Sequence, residues 1–166
     1  MMDKAQSIRL LNAAVADELQ AVHQYMYFHF HLDDQGLGPL SVLFKQIAIQ
    51  EMGHVERLAE RILFLKGDVD MLAAGEVERI TDPEQMLSKA AQMEESSAKA
   101  YNEAALQCSA NADSVSKQMF EQLVQDEERH FDEFDKQLDN IKRFGPSYLA
   151  LQSFNRIPES SAASGD

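Results

Sequence analysis

Apolar residues recur at steps of three and four along four long stretches of this chain, and nowhere do they alternate at the two-residue period of a strand. The first stretch predicts a helix from about Lys4 to about Leu32, with Ile8, Leu11, Val15, Glu18, Val22, Tyr25 and His29 on one face. Gly36-Leu37-Gly38-Pro39 breaks it, and Pro39 suits the first turn of a second helix, where a missing N–H forfeits no intrahelical bond. That helix should reach about Lys66 and carries Phe44, Ile47, Glu51, His54, Leu58, Ile62 and Leu65 in one row, with Gly67 as its stop. An aperiodic connector follows, ending at Asp82-Pro83, a capping residue with proline at the first helical position. The third helix should run to about Cys108 with Leu87, Ala90, Glu94, Ser97, Tyr101 and Ala104 or Ala105 inward. Asn111-Ala112-Asp113-Ser114 supplies the next turn and cap, and a fourth helix to about Phe144 turns Met119, Leu123, Glu127, His130, Phe134 and Ile141 inward. Gly145-Pro146 breaks it, and Tyr148 to Phe154 can form a short fifth helix.

A helix of about 28 residues is roughly 42 Å long, and an extended connector of about 15 residues spans about 50 Å. The connector can therefore cross from one end of a bundle to the other. The expectation is an all-α fold, an antiparallel four-helix bundle made of two hairpins, with a long crossover between helices 2 and 3. Residues 1–157 read as one domain, and the Ser/Ala/Gly-rich residues 158–166 as a disordered tail.

Ionisable residues interrupt the apolar rows at few points, and those points repeat. Glu18 lies 33 residues before Glu51, and Glu94 lies 33 before Glu127. A shift of 76 carries Glu18 to Glu94, Glu51 to Glu127, His54 to His130, Tyr25 to Tyr101 and Phe44 to Phe120. Glu94 is preferred to Glu95 because it satisfies both the row and the repeat. Within each Glu-x-x-His pair the two side chains sit one turn apart on one helix face and can aim at one point. A single such pair often marks a salt-bridged surface; a duplicated triplet on core-facing rows does not.

At 166 residues and 45% hydrophobic, the chain can bury a core without disulfides. Its 28 acidic against 15 basic residues, a net charge of -13, disfavour nucleic-acid and anionic-membrane partners and favour cations. Cys108 is alone, which removes any internal disulfide or Cys-x-x-Cys site and leaves a small buried helix residue. Neither a signal sequence nor a bilayer-length apolar run is present, so a cytoplasmic protein is expected.

Four carboxylates brought together in a bundle core cannot all stay ionised without cations, because each unpaired buried charge costs several kcal/mol. Two divalent metals would neutralise them. One Glu from each of two helices and a Glu-x-x-His from each of the other two is the donor arrangement of di-iron and di-manganese carboxylate bundles. On that template Glu51 and Glu127 bridge, Glu18 and His54 complete one position, and Glu94 and His130 the other. Imidazole with carboxylates suits iron, manganese or zinc better than calcium or magnesium. Tyr25 and Tyr101 lie two turns beyond Glu18 and Glu94. Tyr25 is read as a hydrogen-bond donor or redox-active phenol beside the site, and Tyr101 as core packing. His23, His29 and His31 are read as ordinary helix or surface residues.

With these residues in view, the chain resembles the bacterioferritins from its first helix to Tyr148-Leu149. The resemblance rests on Glu18, Tyr25, Glu51-Met52-Gly53-His54, the stretch from Arg57 to Gly67, Glu94, and Asp126-Glu127-Glu128-Arg129-His130. It implies a ferritin-like bundle, a homo-oligomeric cage of 24 subunits built from dimers, and a ferroxidase centre that oxidises Fe(II) with O2 or H2O2 and stores Fe(III) as mineral. A ferredoxin-type reductant would serve iron release. The family also implies haem b or a related iron porphyrin at the two-fold interface, held by one methionine from each subunit; Met52 occupies that position, with Leu19, Val22, Met26 and Ile49 lining the pocket. Some members carry a histidine and an acidic residue at the positions of Gln46 and Gln50, where an extra iron binds. Glutamine there puts that route to the cavity in doubt. A stand-alone di-iron peroxidase of rubrerythrin type, without mineral storage, is the alternative function.

Overall fold

Turns and caps already legible in the chain set the helix boundaries. The computed structural model describes residues 2–154 and contains α1 (Lys4–Asp34), α2 (Gly38–Phe64), α3 (Pro83–Ala110), α4 (Ser114–Phe144) and α5 (Pro146–Phe154). No strand occurs among the described residues. The expected tail, residues 158–166, and the domain end at 157 lie outside them. Asp3, Asp82 and Asp113 cap α1, α3 and α4 by accepting from Ala5 N–H, Gln85 N–H and Ser116 N–H at 2.9, 2.9 and 3.1 Å. α2 has no side-chain cap and relies on Pro39 in its first turn.

Helices α1, α2 and α3 end alike. In each, the second residue past the cap donates its N–H to a carbonyl five residues back: Leu37 to Leu32 at 2.9 Å, Gly67 to Ile62 at 3.0 Å and Asp113 to Cys108 at 2.9 Å. The residue before it takes a left-handed conformation, which Gly36 supplies at α1 and Lys66 and Ala112 adopt at α2 and α3. Gly67, expected as the helix stop, is required for another reason. A Cβ on it would lie 2.9 Å from the Ile8 side chain, so glycine lets the start of the connector run against α1.

α1 pairs with α2 and α3 with α4, giving two hairpins. The 76-residue shift maps the end of α1 at Asp34 onto the end of α3 at Ala110, and the start of α2 at Gly38 onto the start of α4 at Ser114. The repeat therefore extends to the turns. Between the hairpins the connector runs alongside α1, in the same direction, tied by a row of α1 amides. Asn12 bonds Asp68 O and Asp70 N–H, Gln20 bonds Gly75 N–H and Glu76 O, and Gln24 bonds Glu78 N–H and O, all at 2.8–3.0 Å.

The apolar core has two parts. Tyr25, Phe28, Phe44, Leu87 and Phe134 belong to one, and Leu11, Val15, Leu58, Tyr101, Phe120 and Leu123 to the other. On α1, Val15 belongs to the second cluster and Ala21 to the first, with Glu18 between them. The ligand-type residues of the other three helices divide their rows in the same way, so a polar layer crosses the middle of a long apolar core. α5 closes one end by laying Tyr148 and Leu149 against the first cluster.

Candidate metal centre

Each of the four long helices contributes to the polar layer. Glu18 comes from α1, Glu51 and His54 from α2, Glu94 from α3, and Glu127 and His130 from α4; all six are buried, none more than 5% exposed. Helical spacing explains the placement, because each lies on the row that its apolar neighbours commit to the core. Two overlapping groups form. Glu18, Glu51, His54 and Glu127 each offer a ligand atom within 4.8 Å of the others, and so do Glu51, Glu94, Glu127 and His130. Glu51 and Glu127 belong to both groups, so only they can bridge two cations.

Both imidazoles aim Nδ1 at the centre. His54 Nδ1 lies 2.8 Å from Glu51, 3.2 Å from Glu127 and 3.4 Å from Glu18. His130 Nδ1 lies 3.3 Å from Glu51 and 3.5 Å from Glu94. The two rings stack with centroids 5.9 Å apart and planes 22° from parallel.

Burial and the groups' mutual charges shift the protonation of these residues in different directions. Burial pushes the Glu51 carboxyl well above its usual range, and the charges of Glu18 and Glu94 push it the same way. Burial and the Glu18 charge raise Glu127 to about 11. For His54, burial opposes the charge, but hydrogen bonding to Glu127, Glu18 and Glu51 and the Glu18 charge outweigh it and raise the imidazole to about 12. Glu94 goes the other way: burial favours its neutral form, yet His130, Glu127 and Tyr25 together hold it below the ordinary carboxylate value. Even so, both oxygens of Glu51, one each of Glu94 and Glu127, and Nδ1 of His130 have no aligned hydrogen-bond partner despite full burial. Buried polar atoms are rarely left so. Oxygen and imidazole donors that converge without aligned hydrogen bonds suit two divalent cations of the iron, manganese or zinc type.

The tyrosines cross between hairpins. Tyr25 of α1 donates to Glu94 of α3, and Tyr101 of α3 donates to Glu18 of α1 at 2.8 Å. Tyr101 is thus more than the packing residue expected of it; it holds a site carboxylate as Tyr25 does. The repeat carried that signal, since equivalent tyrosines around a pseudo-two-fold axis should have equivalent partners. Outer partners of the histidines also escaped the sequence reading. His54 Nε2 lies 3.1 Å from Asp126, and His130 Nε2 lies 3.0 Å from Gln50.

Met52 projects from α2 away from the centre, with 53% of its surface exposed, and Ile49, one turn earlier, is 52% exposed. Leu19, Val22 and Met26 form a partly buried row on α1. His23 is exposed, His31 is partly buried against Tyr27, and His29 pairs with Ser41; none approaches the centre. No described helix is long and apolar enough to cross a membrane.

Comparison with known proteins agrees with this geometry. Residues 8–144 match the ferritin family, described as a ferritin-like domain. The chain is 36% identical to the bacterioferritin of Desulfovibrio desulfuricans over 147 residues, 89% of this chain and 82% of that protein. It is also 36% identical to the bacterioferritin of Rhodobacter capsulatus over 152 residues, 91% of this chain and 94% of that one. A solved structure of the Desulfovibrio protein, described as showing its diiron site in different catalytic states, superposes with a TM-score of 0.91 at 34% identity, over 98% of this chain and 95% of that one. The Rhodobacter structure, described with a metal-free dinuclear site and haem iron in a crystallographic special position, gives a TM-score of 0.87 at 34% identity, over 98% and 100%.

Proposed function

This chain belongs to the bacterioferritin family, and from that premise we propose that it oxidises Fe(II) to Fe(III) at the four-glutamate, two-histidine centre and stores the product as mineral inside a 24-subunit homo-oligomer. The observation that supports the reading is the convergence of buried ligand atoms on Glu51, Glu94, Glu127 and His130 that have no aligned hydrogen-bond partner and meet only one another and the neighbouring site residues. Glu18 and His54 would hold one iron, Glu94 and His130 the other, with Glu51 and Glu127 between them. The substrate iron supplies the electrons, which pass to O2 or H2O2. Anionic oxygens attract a trivalent cation more strongly than a divalent one, so four carboxylates favour the oxidised product. Tyr25 and Tyr101 orient Glu94 and Glu18 through their hydroxyls. Loading requires the protons on Glu51, Glu127 and His54 to leave, which couples iron uptake to proton release.

Haem b or a related porphyrin would sit between two subunits on Met52. The exposed Met52 thioether would supply one sulfur donor to that group, and a second copy of the chain would supply the other. Gln46 and Gln50 lack the charge of an iron relay, which favours passage to the cavity through the centre itself, with a ferredoxin-type protein as the reductant for release. The -13 net charge suits a cation-storing shell in the cytoplasm.

Aerobic addition of many Fe(II) per chain, followed by sizing and iron counting, tests the proposal. Particles of cage size holding far more than two irons per chain are expected. Saturation at two irons would instead favour the peroxidase of rubrerythrin type.

A further inference from the structure

The six ligands repeat without change, but the groups behind the two histidines do not. Under the 76-residue shift Gln50 corresponds to Asp126. Asp126 of α4 contacts Nε2 of His54 at 3.1 Å, and Gln50 of α2 contacts Nε2 of His130 at 3.0 Å, so each hairpin supplies the outer partner for the other's imidazole. The geometry is symmetric and the charge is not.

When each ring is neutral, as a metal ligand must be, both contacts decide the same tautomer. A carboxylate oxygen can only accept, so Nε2 of His54 carries the proton. Gln50 presents its amide oxygen rather than its nitrogen, because Arg129, which can only donate, bonds the same atom at 3.2 Å; Nε2 of His130 is therefore also the donor. Each Nδ1 would thereby be left unprotonated and able to hold a cation. The two imidazoles still differ as ligands. An anionic acceptor on the remote N–H makes the ring a stronger donor than a neutral amide does, and such outer partners are worth 10–100-fold in metal affinity. Arg57 and Arg129 flank Asp126 at 3.7 and 3.0 Å and hold its carboxylate in place. Both arginines are more than a third exposed while Asp126 is 23% exposed, so solvent screens their charges more than it screens the contact to His54.

We propose that the two halves of the centre are unequal, the position completed by Glu18 and His54 binding a divalent cation first and more tightly than the position completed by Glu94 and His130, because Asp126 stands behind one histidine and Gln50 behind the other. Asp126 and Gln50 are positioning residues that act through the imidazoles. This rests on the two-cation reading of the centre.

The test is an anaerobic titration of the metal-free full-length protein with Co(II), followed by calorimetry and by cobalt absorption. The unmodified protein should bind in two separable steps per chain. Asp126→Asn keeps shape and removes charge; it should weaken the tight step about 10–100-fold and leave the weak step within a few-fold. Gln50→Glu adds the missing charge isosterically and should strengthen the weak step by a similar factor at an unchanged two cations per chain, drawing the steps together; a gain that comes with a third cation per chain would count against the proposal. A residue with a merely structural role would not produce that gain, and this variant decides the matter if Asp126→Asn fails to fold. Two equivalent sites in the unmodified protein, a loss confined to the weak step in Asp126→Asn, or no gain in Gln50→Glu each overturns the inequality while leaving the two-cation reading intact. Failure to bind Co(II) at all overturns both.

Discussion

The α1–α2 hairpin and the α3–α4 hairpin are two copies of one device, and they agree most closely where they face each other. Turn positions, all six ligand-type residues and both tyrosines correspond under one shift, and each hairpin reaches into the other: Tyr25 to Glu94, Tyr101 to Glu18, Asp126 to His54, Gln50 to His130. On the outside the copies diverge. Asn12, Gln20 and Gln24 of α1 hold the crossover, while their counterparts on α3, Ser88, Ser96 and Ala100, are short and exposed because no connector lies there. The shared centre constrains both copies at once, whereas an outward face answers only to its own neighbour.

Removing a shared ligand should break the correspondence most severely. Glu127→Ala takes a carboxylate from both groups and should lower the initial rate of Fe(II) oxidation by more than about 100-fold, beyond the cost of disturbing an outer partner alone. Helical circular dichroism should be unchanged. Glu18→Ala and Glu94→Ala each strip one half, and equilibrium binding should then show one cation per chain instead of two.

Protonation offers the next lever. His54 rises from 6.5 in the unfolded chain to about 12, so its stabilising charge is fully present below pH 6.5 and is lost as pH climbs toward 12. Glu127 rises from 4.5 to about 11, so the folded state binds more protons than the unfolded state throughout that window, and this too lowers stability as pH rises. Both signs agree. The melting temperature of the metal-free protein should fall by several degrees between pH 6 and 9, and saturating Zn(II) should remove or reverse the slope because bound metal favours the deprotonated ligands. A metal-free protein that gains stability over this range would contradict the buried protons.

Exchanging the tyrosines sharpens the crosswise pairing. Tyr25→Phe and Tyr101→Phe each delete one hydroxyl on a buried carboxylate, a bond of about 1.5–3 kcal/mol. Stopped-flow oxidation should slow in both, by less than about tenfold for each, well short of the outer-partner limit. A silent Tyr101→Phe beside a slow Tyr25→Phe would restore the packing role for Tyr101.

The smallest effects belong to the outer faces. Gln24→Ala should cost about 1 kcal/mol by freeing Glu78 from α1, near 2–4 °C in Tm. Ala100→Gln, its mirror on α3, should lie within about 0.5 kcal/mol of neutral, since it has nothing to hold.

Periodicity placed the helices within a few residues because each apolar row must face one core, whatever the partners across it. The clearest miss at a boundary was the end of α2, where Gly67 looked like the stop. Lys66 takes the left-handed position, and Gly67 is needed because Ile8 comes from another part of the chain to lie against it. Similarly, the connector looked featureless because its order comes from α1 amides 54–58 residues away in the chain, not from its own residues.

By itself the sequence determined that the chain is helical, that it is duplicated, and which ionisable residues sit on core-facing rows, because spacing on a helix converts directly into direction. Only the tertiary structure decided which oxygen each hydroxyl meets, that the tyrosines and the outer partners of the histidines cross between hairpins, and that Asp126 and Gln50 back equivalent atoms with different charge. Those are relations between side chains on different helices, and they come into being only when the hairpins close on one another.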